Sequence, residues 1–308
     1  MSPGDRSLSL VLDRLYREFN CANSAADPVQ LVRRYSDKAD REVAAFCAAS
    51  LAFGRVSGIL RSLERLFEAM GPSPAAFVRR FDHARDRTQL ESIVHRWTRG
   101  RDLVALMSVL CTMLNRSGTI EQFFLEGHDP AAPDIGPALD SFSQRARAVD
   151  LRPAYGHVPR RPGVFAFFPQ PCAGSACKRL NLFLRWMVRH DAIDPGGWTG
   201  VSPSQLIVPL DTHVIRVGRC LGLTRRRTPG WRMAAEITAS LRAFDPGDPV
   251  RFDFSLCHVG MRRLCGFGAS GSDEACPLKG HCRPSPPNAR AQRSARRSPG
   301  SGRPSARR

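Results

Sequence analysis

The segment from Arg41 to Phe53 limits the possible folds most strongly, because it is apolar on almost every side. Its sequence, REVAAFCAASLAF, lacks the alternation of apolar and polar residues that is typical of a half-buried strand. A helix that is apolar all round must be buried among other elements. Apolar residues then recur at helical spacing from Ile59 to Met70, where Gly71–Pro72 ends the pattern. The sequence therefore predicts a helical hairpin over residues 41–70 that turns at Gly54.

The rest of the chain repeats this helical pattern and shows no convincing strand, so we predict an all-α fold. The predicted helices are Leu8–Asn20, Pro74–Phe81, Gln89–His95, Asp102–Asn115 (with Asp102 as its cap), Ala138–Ala148, Trp231–Phe244 and Val250–Cys265, the last preceded by Asp248 as a cap. Together they indicate one helical domain over residues 1–282, interrupted by an irregular insert at 127–171. Residues 283–308 are mostly Pro, Ser and Arg, a composition that predicts a disordered basic tail.

The charge of the chain points to a polyanionic partner. The formal net charge is +18 and the pI is near 10.7, and the tail supplies eight arginines and no acid. Residues 1–282 therefore keep about +10, which favours nucleic acid. The clusters Arg160–Arg161 and Arg225–Arg227 are candidate phosphate contacts, although a solvated basic surface is an alternative explanation. We expect the tail to add sequence-independent, salt-sensitive affinity.

The sequence also indicates where the protein is found. Residues 1–6 lack the basic-then-apolar layout of a secretory signal, and the longest apolar run, Leu103–Leu114, is too short to cross a bilayer. Ten cysteines in a chain of 308 residues without such a signal argue against a disulfide framework. We expect a cytoplasmic monomer with no membrane partner, associated with the nucleoid when it is bound to DNA.

Lysine is rare in this chain, which makes each lysine informative. Of 46 basic residues only Lys38, Lys178 and Lys279 are lysines. An arginine serves where only positive charge is needed, whereas a lysine can lose its proton and attack as a free amine. Lys178 lies in an arginine-using segment at the start of an apolar helix, so it is a candidate nucleophile. The alternative is that one of three lysines falls there by chance.

Two motifs surround this lysine and carry a resemblance to a known family. The first is GSACKRLN at Gly174–Asn181, and the second is LDTHVIRV at Leu210–Val217. They resemble the helix-hairpin-helix DNA glycosylase superfamily, the endonuclease III-like enzymes, in which the hairpin reads LPGVGxKTAN and a later helix begins VDTHxxRV. The resemblance extends over residues 41–282, and the chain also resembles an uncharacterised bacterial family within or near that superfamily. It implies a two-lobed helical fold with a cleft between the lobes.

By this resemblance, Lys178 matches the catalytic lysine of the family and Asp211 the catalytic aspartate. The implied reaction is excision of a damaged base from duplex DNA. Lys178 attacks C1′ of a flipped-out nucleotide, displaces the base and forms a Schiff base with the opened sugar, after which β-elimination nicks the strand. Asp211 helps to deprotonate the lysine and stabilises positive charge at the sugar. Taken alone, Asp211 is better explained as a helix N-cap, the commoner use of Asp at this position, and the catalytic role rests on its combination with Lys178 and Arg216–Val217.

The resemblance also implies DNA contacts from the hairpin amides and from neighbouring side chains. These candidates are Gly174, Ser175, Ala176, Arg179, His213 and Arg55. Two positions depart from the family pattern. Ala176 replaces the second hairpin glycine, and Ala52 occupies the region where the family has a polar residue that fills the gap left by the flipped base. Phe53 and Arg55 are the alternatives for that role, so the substrate range is not carried over.

The family's cysteine ligands are incomplete here. Many relatives hold a [4Fe–4S] cluster with Cys-x6-Cys-x2-Cys-x5-Cys. This chain has Cys265, Cys276 and Cys282, with Asp273 where a further cysteine is expected. We expect no metal by default, and an iron–sulfur cluster ahead of a zinc site with His281 as the alternatives.

Two readings therefore remain beside the base-excision glycosylase with abasic-site lyase activity. One is a non-catalytic nucleic-acid-binding protein on the same scaffold, which should tolerate Lys178→Arg. The other is a metal-stabilised interaction module, which would require bound metal.

Overall fold

The computed structural model describes residues 3–21, 27–262 and 276–282. Within these ranges the chain forms 14 α-helices and three 3₁₀ helices, and no strand, so the all-α prediction is confirmed for this part of the protein. The α-helices are α1 (Pro3–Phe19), α2 (Val29–Val32), α3 (Lys38–Ser50), α4 (Val56–Met70), α5 (Pro74–Arg79), α6 (His83–Glu91), α7 (Gly100–Ser117), α8 (Ile120–Leu125), α9 (Gly136–Arg147), α10 (Arg152–Tyr155), α11 (Lys178–Val188), α12 (Thr212–Cys220), α13 (Trp231–Arg242) and α14 (Asp253–Met261). The 3₁₀ helices are Gly163–Phe167, Pro203–Gln205 and Pro249–Phe252.

Some predicted features lie outside the described residues. They include the basic tail at 283–308, the end of the last predicted helix and Cys265. Among the described helices, none combines the length and apolar character that a membrane span requires.

The helical hairpin predicted over residues 41–70 is present as α3 and α4. Asp37 caps α3 by accepting a hydrogen bond from the backbone N–H of Asp40 at 3.0 Å. The chain turns at Gly54, whose φ of +106° favours glycine. Every residue of α3 from Glu42 to Ser50 is buried, as its apolar sequence indicated.

Helix α6 lies earlier in the chain than predicted. Its N-cap is Asp82, whose Oδ1 accepts from the backbone N–H groups of Ala84 at 3.0 Å and Arg85 at 2.9 Å. The prediction of a helix at 89–95 was wrong because it followed apolar spacing and overlooked this capping residue.

Two predicted caps have other roles. Asp102 is the third residue of α7, where its carboxylate accepts from the Arg99 N–H at 2.9 Å and the Tyr155 hydroxyl at 2.7 Å. Asp248 makes no capping hydrogen bond and instead accepts from Arg189 Nε at 2.9 Å. The predicted irregular insert at 127–171 contains α9, α10 and the first 3₁₀ helix.

Helix α11 is the central buried element, and it carries Lys178 at its first position. It packs against α3, with the Phe183 ring 5.1 Å from that of Phe46 and 5.3 Å from that of Trp198. All residues from Phe183 to Val188 are buried. The buried body of the helix therefore fixes the position of Lys178, whose side chain is partly exposed.

Helices α12 and α14 pack closely against each other, and α1 packs against α14. Gly260 permits the close approach of α12 and α14, because a Cβ at this position would lie 2.7 Å from His213 Cβ. This contact brings the start of α12 next to one face of α14.

Candidate active site

The first turn of α11 holds Lys178 without a side-chain cap. Cys177, the residue before it, has φ +48° and ψ +32°, a left-handed conformation that is uncommon for a residue with a side chain. Its thiol is buried, and burial raises the pKa of Cys177 to about 12, so the side chain is a neutral packing group. Asn181 connects the helix to the preceding turn by donating a hydrogen bond from Nδ2 to the Ala176 carbonyl at 3.1 Å.

Asp211 caps α12 and also faces Lys178. Its Oδ1 accepts from the backbone N–H groups of His213 at 2.8 Å and Val214 at 2.7 Å. Its Oδ2 lies 3.9 Å from Lys178 Nζ, within ion-pair range but longer than a hydrogen bond. Cys257 Sγ donates to the same Oδ2 at 3.2 Å. One oxygen therefore holds the helix, and the other accepts from the Cys257 thiol and faces the lysine.

The two charged groups differ in exposure. The Lys178 side chain is 40% exposed, whereas that of Asp211 is 14% exposed. Burial, followed by the charge of Asp211, raises the pKa of Cys257 well above its usual range, so its thiol stays protonated and acts as a donor. The Asp211 carboxylate is thus fixed by three hydrogen bonds beside a reachable amine.

A pocket of about 530 Å³ contains this pair. The α11 lining residues are three or four positions apart, and the α14 lining residues recur one turn apart, at 253 and 254, at 257 and 258, and at 261, which places those of each helix on one face. The lining side chains include Lys178, Leu182 and Arg185 of α11; Asp211, Thr212, His213 and Ile215 at α12; Asp253, Phe254, Cys257, His258 and Met261 of α14; and Ala52, Phe53 and Gly54 of the α3–α4 turn.

The family model described as "Protein of unknown function (DUF2400)" matches residues 27–262, about three quarters of the chain. The chain belongs to this family. No curated protein and no solved structure matches the chain. Every residue that lines the pocket falls within the region matched by the family model.

The sequence reading missed Asp253, which the structure brings into the same pocket. Asp253 is 3% exposed, and its Oδ2 accepts from Arg185 Nη1 at 2.6 Å. Its Oδ1 is buried and has no hydrogen-bond partner in the protein. The signal was an acid between two phenylalanines in an otherwise apolar helix start, Phe252-Asp253-Phe254.

Arg185 links Asp253 to a buried ionic network. It donates from Nε and Nη2 to Asp194 Oδ1 at 3.1 and 3.0 Å, and Arg189 binds Asp194 and Asp248. Burial, with the nearby Asp211 and Asp194 carboxylates, raises the pKa of Asp253 to about 6 although Arg185 opposes the shift. Arg185 therefore holds Asp253 in place, but one carboxylate oxygen of Asp253 has no hydrogen-bond partner in the protein.

The predicted hairpin forms a tight turn whose amides are partly engaged. Gly174 has φ +81°, donates its N–H to Pro171 O at 2.8 Å and accepts from the Trp231 N–H at 3.2 Å. The Cys177 N–H donates to Ser175 Oγ at 3.2 Å. Ser175 and Ala176 are partly exposed. The element before this turn is the five-residue 3₁₀ helix Gly163–Phe167 rather than an α-helix.

Arg179 points into the protein rather than outward. It donates from Nη1 to Ser50 O at 3.0 Å and from Nη2 to Ala166 O. Its guanidinium lies 5.2 Å from the Phe53 ring centroid and 5.6 Å from that of Trp97, and burial lowers the pKa of Arg179 to about 10. These contacts give Arg179 a supporting position beneath two aromatic rings.

Those rings form a partly exposed pair beside the pocket. Phe53 and Trp97 stack with centroids 4.8 Å apart and planes at 15°, and Trp97 is 47% exposed. Phe53 also lines the pocket, as does Ala52, whereas Arg55 is exposed at the start of α4. Of the two predicted gap-filling residues, Phe53 is the one that the structure brings to the pocket lining.

His213 lines the pocket with a buried Nδ1 that has no hydrogen-bond partner in the protein. The two arginine clusters, Arg160–Arg161 and Arg225–Arg227, are exposed. The second cluster precedes Pro229, which lines the pocket. His213 and this second cluster therefore lie at or beside the pocket.

The predicted metal ligands are only partly described. Cys276 is buried, and Cys282 Sγ donates to Leu278 O at 3.5 Å. Cys265 lies outside the described residues, and within those residues no group of three metal-binding side chains occurs. The cysteine set therefore stays a prediction.

Proposed function

We propose that the protein is a DNA base-excision glycosylase that also cleaves abasic sites through a lysine Schiff base. The observation that carries this proposal is the approach of Lys178 Nζ to within 3.9 Å of Asp211 Oδ2 in a pocket large enough for a base. A lysine amine within ion-pair range of a fixed carboxylate supplies the two groups that proton removal from an attacking amine needs.

The reaction begins with a proton leaving the Lys178 ammonium toward Asp211. The free amine then forms a bond to C1′ of a flipped-out nucleotide while the glycosidic bond breaks, and the base leaves with the bonding electron pair and takes up a proton. Loss of a second proton from nitrogen and opening of the sugar ring at O4′ give the Schiff base. Asp211 stabilises the positive charge that develops at the sugar.

The surroundings of the pocket fit a duplex with one nucleotide turned out. We interpret the helices as two lobes, one built around α3, α7 and α11 and the other around α1, α12, α13 and α14, with the pocket at their junction. The stacked pair Phe53 and Trp97 offers an aromatic surface to bases near the gap. The exposed arginines at 225–227 and the hairpin residues Ser175 and Ala176 are candidate phosphate contacts.

Borohydride trapping tests this proposal. Full-length protein would be incubated with duplex oligonucleotides that carry an abasic site or one of several oxidised, alkylated or deaminated bases, and then reduced. We expect a covalent adduct with the wild-type protein and none with Lys178→Gln or Lys178→Arg. Lys279→Gln is the matched control, because it removes an exposed lysine that does not line the pocket.

The same experiment distinguishes the alternative function. An adduct that persists in Lys178→Gln would contradict the proposed role of this lysine. Absence of any adduct, together with DNA binding that Lys178→Arg leaves unchanged, would instead support a non-catalytic nucleic-acid-binding protein.

A further inference from the structure

The pocket contains an acceptor that the proposed reaction does not use. Asp253 Oδ1 is buried without a hydrogen-bond partner in the protein, and the side chain lines the pocket that Lys178 and Asp211 share. A buried polar atom without a partner costs free energy, so a group that fills the pocket gains by supplying a donor. We therefore interpret the unpaired Asp253 oxygen as a binding group for a ligand in the pocket, not as a group that stabilises the fold.

The neighbouring Asp194 shows what a purely structural acid looks like in the same network. Its Oδ1 accepts from Arg185 and its Oδ2 accepts from Arg189, so both oxygens have partners. It is 1% exposed and does not line the pocket. Asp253 shares Arg185 with Asp194, but its Oδ1 has no hydrogen-bond partner in the protein and its side chain lines the pocket.

We propose that Asp253 accepts hydrogen bonds from the flipped-out base, and that the base is a damaged guanine. This inference rests on the proposed function. An ionised carboxylate only accepts hydrogen bonds, so it selects a base edge made of donors. Guanine alone among the common bases has two adjacent donors on its pairing edge, N1–H and the 2-amino group.

The other bases present acceptors to the same position. Adenine and cytosine have one amino group beside a ring nitrogen that accepts, and thymine and uracil have one N–H between two carbonyl oxygens. These lone pairs would face the Asp253 carboxylate and be repelled by it. Oxidation at C8 or alkylation at N7 leaves the two guanine donors intact, so damage on the imidazole ring is compatible with this recognition.

Aromatic side chains complete the site for a planar base. Phe254 follows Asp253 on α14 and lines the pocket, as does Phe53 of the α3–α4 turn. Arg185 holds the Asp253 carboxylate from one side, with its guanidinium 5.6 Å from the Phe254 ring centroid. A base that stacks on an aromatic face gains affinity independently of its edge, which leaves Asp253 to provide the selectivity.

Single-turnover release of bases from duplex oligonucleotides tests the inference. The panel contains 8-oxoguanine, 8-oxohypoxanthine (which lacks the 2-amino group), 7-methylguanine, 8-oxoadenine and dihydrouracil. We expect the wild-type protein to release 8-oxoguanine at least about tenfold faster than 8-oxohypoxanthine, because a buried polar group left unpaired is strongly disfavoured. Equal rates on the whole panel, or a preference for adenine-type or pyrimidine bases, would overturn the inference.

Asp253→Asn tests the residue itself. Arg185 should still donate to the amide oxygen of the asparagine, so the asparagine NH₂ group would face the donors of guanine. We expect the preference for 8-oxoguanine over 8-oxohypoxanthine to fall to about one. Asp194→Asn is the matched control, since it also removes a carboxylate from Arg185 but from outside the pocket, and we expect it to keep the wild-type preference. An equal loss of preference in both variants would show that Asp253 acts only through Arg185, against the inference.

Trapping at an abasic site separates this inference from the proposed function. An abasic sugar has no base edge, so trapping of the wild-type protein there reports on Lys178 without any contribution from base recognition. Trapping without release of either guanine lesion would overturn only the guanine inference, whereas absence of trapping would contradict the proposed function itself. If Asp253→Asn does not fold, the wild-type preference on the panel still decides the question.

Discussion

Helices α11 and α12 both begin at the pocket, but different interactions hold their first turns. Asp211 caps α12 with two hydrogen bonds from its own Oδ1 to backbone N–H groups. Helix α11 has no side-chain cap and begins after Cys177 in a left-handed conformation, fixed by the buried thiol and the buried body of the helix. The start of α12 is stabilised locally, whereas the start of α11 depends on tertiary packing.

This difference matters for the two functional groups. Because Oδ1 of Asp211 holds the helix, Oδ2 is aligned toward Lys178 by the cap itself. Lys178 contributes nothing visible to the start of α11, so its amine can react without disturbing the fold. Substitutions of Lys178 should therefore change activity without changing stability, whereas substitutions of Asp211 should change both when they remove the helix cap.

The largest effect is expected for Asp211→Asn. Asn caps helices about as well as Asp, so the free energy of unfolding should change by less than about 1 kcal/mol. The excision rate should fall by roughly 10² to 10⁴-fold, because the group that accepts the lysine proton is lost. Urea unfolding and single-turnover excision would measure both quantities.

Asp211→Ala should lose about 1 kcal/mol more stability than Asp211→Asn, because the helix cap is missing. Equal stability of the two variants would contradict the capping role.

A second effect concerns Asp253, the first residue of α14, whose pKa is raised from 3.8 to about 6. Above that pH the carboxylate is ionised and accepts from the base, and as the pH falls it takes up a proton. We expect excision to decline by about tenfold per pH unit below about 6, since the ionised fraction falls by that factor. Rates at pH 5 to 8 would be compared for the wild-type protein, Asp253→Asn and Asp194→Asn. A decline of the same size in Asp253→Asn would assign the titration to another group.

The stability linked to Asp253 should change with pH in the opposite direction. Its folded pKa exceeds the usual value of 3.8, so the folded protein binds the proton more tightly than the unfolded chain. The unfavourable contribution of the buried charge is complete above about pH 6 and disappears as the pH falls toward 3.8. The difference in unfolding free energy between wild type and Asp253→Asn should therefore vary with pH in this window, and a constant difference would contradict the raised pKa.

A smaller effect is expected at Cys177, where the backbone conformation favours glycine. A non-glycine residue in this region costs of order 1 kcal/mol. Cys177→Gly should therefore be at least as stable as Cys177→Ala, although both lose the buried thiol. At Thr212, the exposed first residue of α12, the same two substitutions should rank in the opposite order, because glycine is the weaker helix former. Thermal unfolding of the four variants would test this prediction. If Gly and Ala rank in the same order at both positions, the proposed difference between the two helix starts is contradicted.

The smallest effect is expected for Cys257, whose thiol donates to Asp211 Oδ2. Cys257→Ala should reduce the excision rate by only a few-fold, because the two backbone hydrogen bonds still orient the carboxylate. Cys257→Ser retains a donor and should recover most of that loss. A loss in Cys257→Ala as large as that in Asp211→Asn would mean that the thiol takes part in the reaction.

The parts of the site that the sequence predicted are those encoded locally. Lys178 and Asp211 each stand at the start of an apolar helix, and their motifs are contiguous in sequence, so their positions in the fold followed from the pattern. The apolar composition of α3 likewise predicted its burial. The position of α6 was missed, because Asp82 and the apolar spacing gave conflicting signals and the cap prevailed.

The rest of the pocket depends on contacts between distant segments. Asp253 reaches the pocket because Gly260 lets α14 approach α12 and because Arg185 holds its carboxylate from α11. The resemblance made Arg179 a candidate DNA contact, but two carbonyl groups and the rings of Phe53 and Trp97 hold its guanidinium inside the protein. Both sets of contacts join segments that are far apart in sequence, so a local pattern could not predict them.

Mapping the borohydride-trapped adduct by peptide mass spectrometry tests the role of Lys178 most directly. The chain has three lysines in widely separated segments, so proteolysis distinguishes them without ambiguity. We expect the reduced sugar remnant on Lys178 alone. A remnant on Lys38, on Lys279 or on the N-terminal amine would contradict the assignment of Lys178 as the nucleophile.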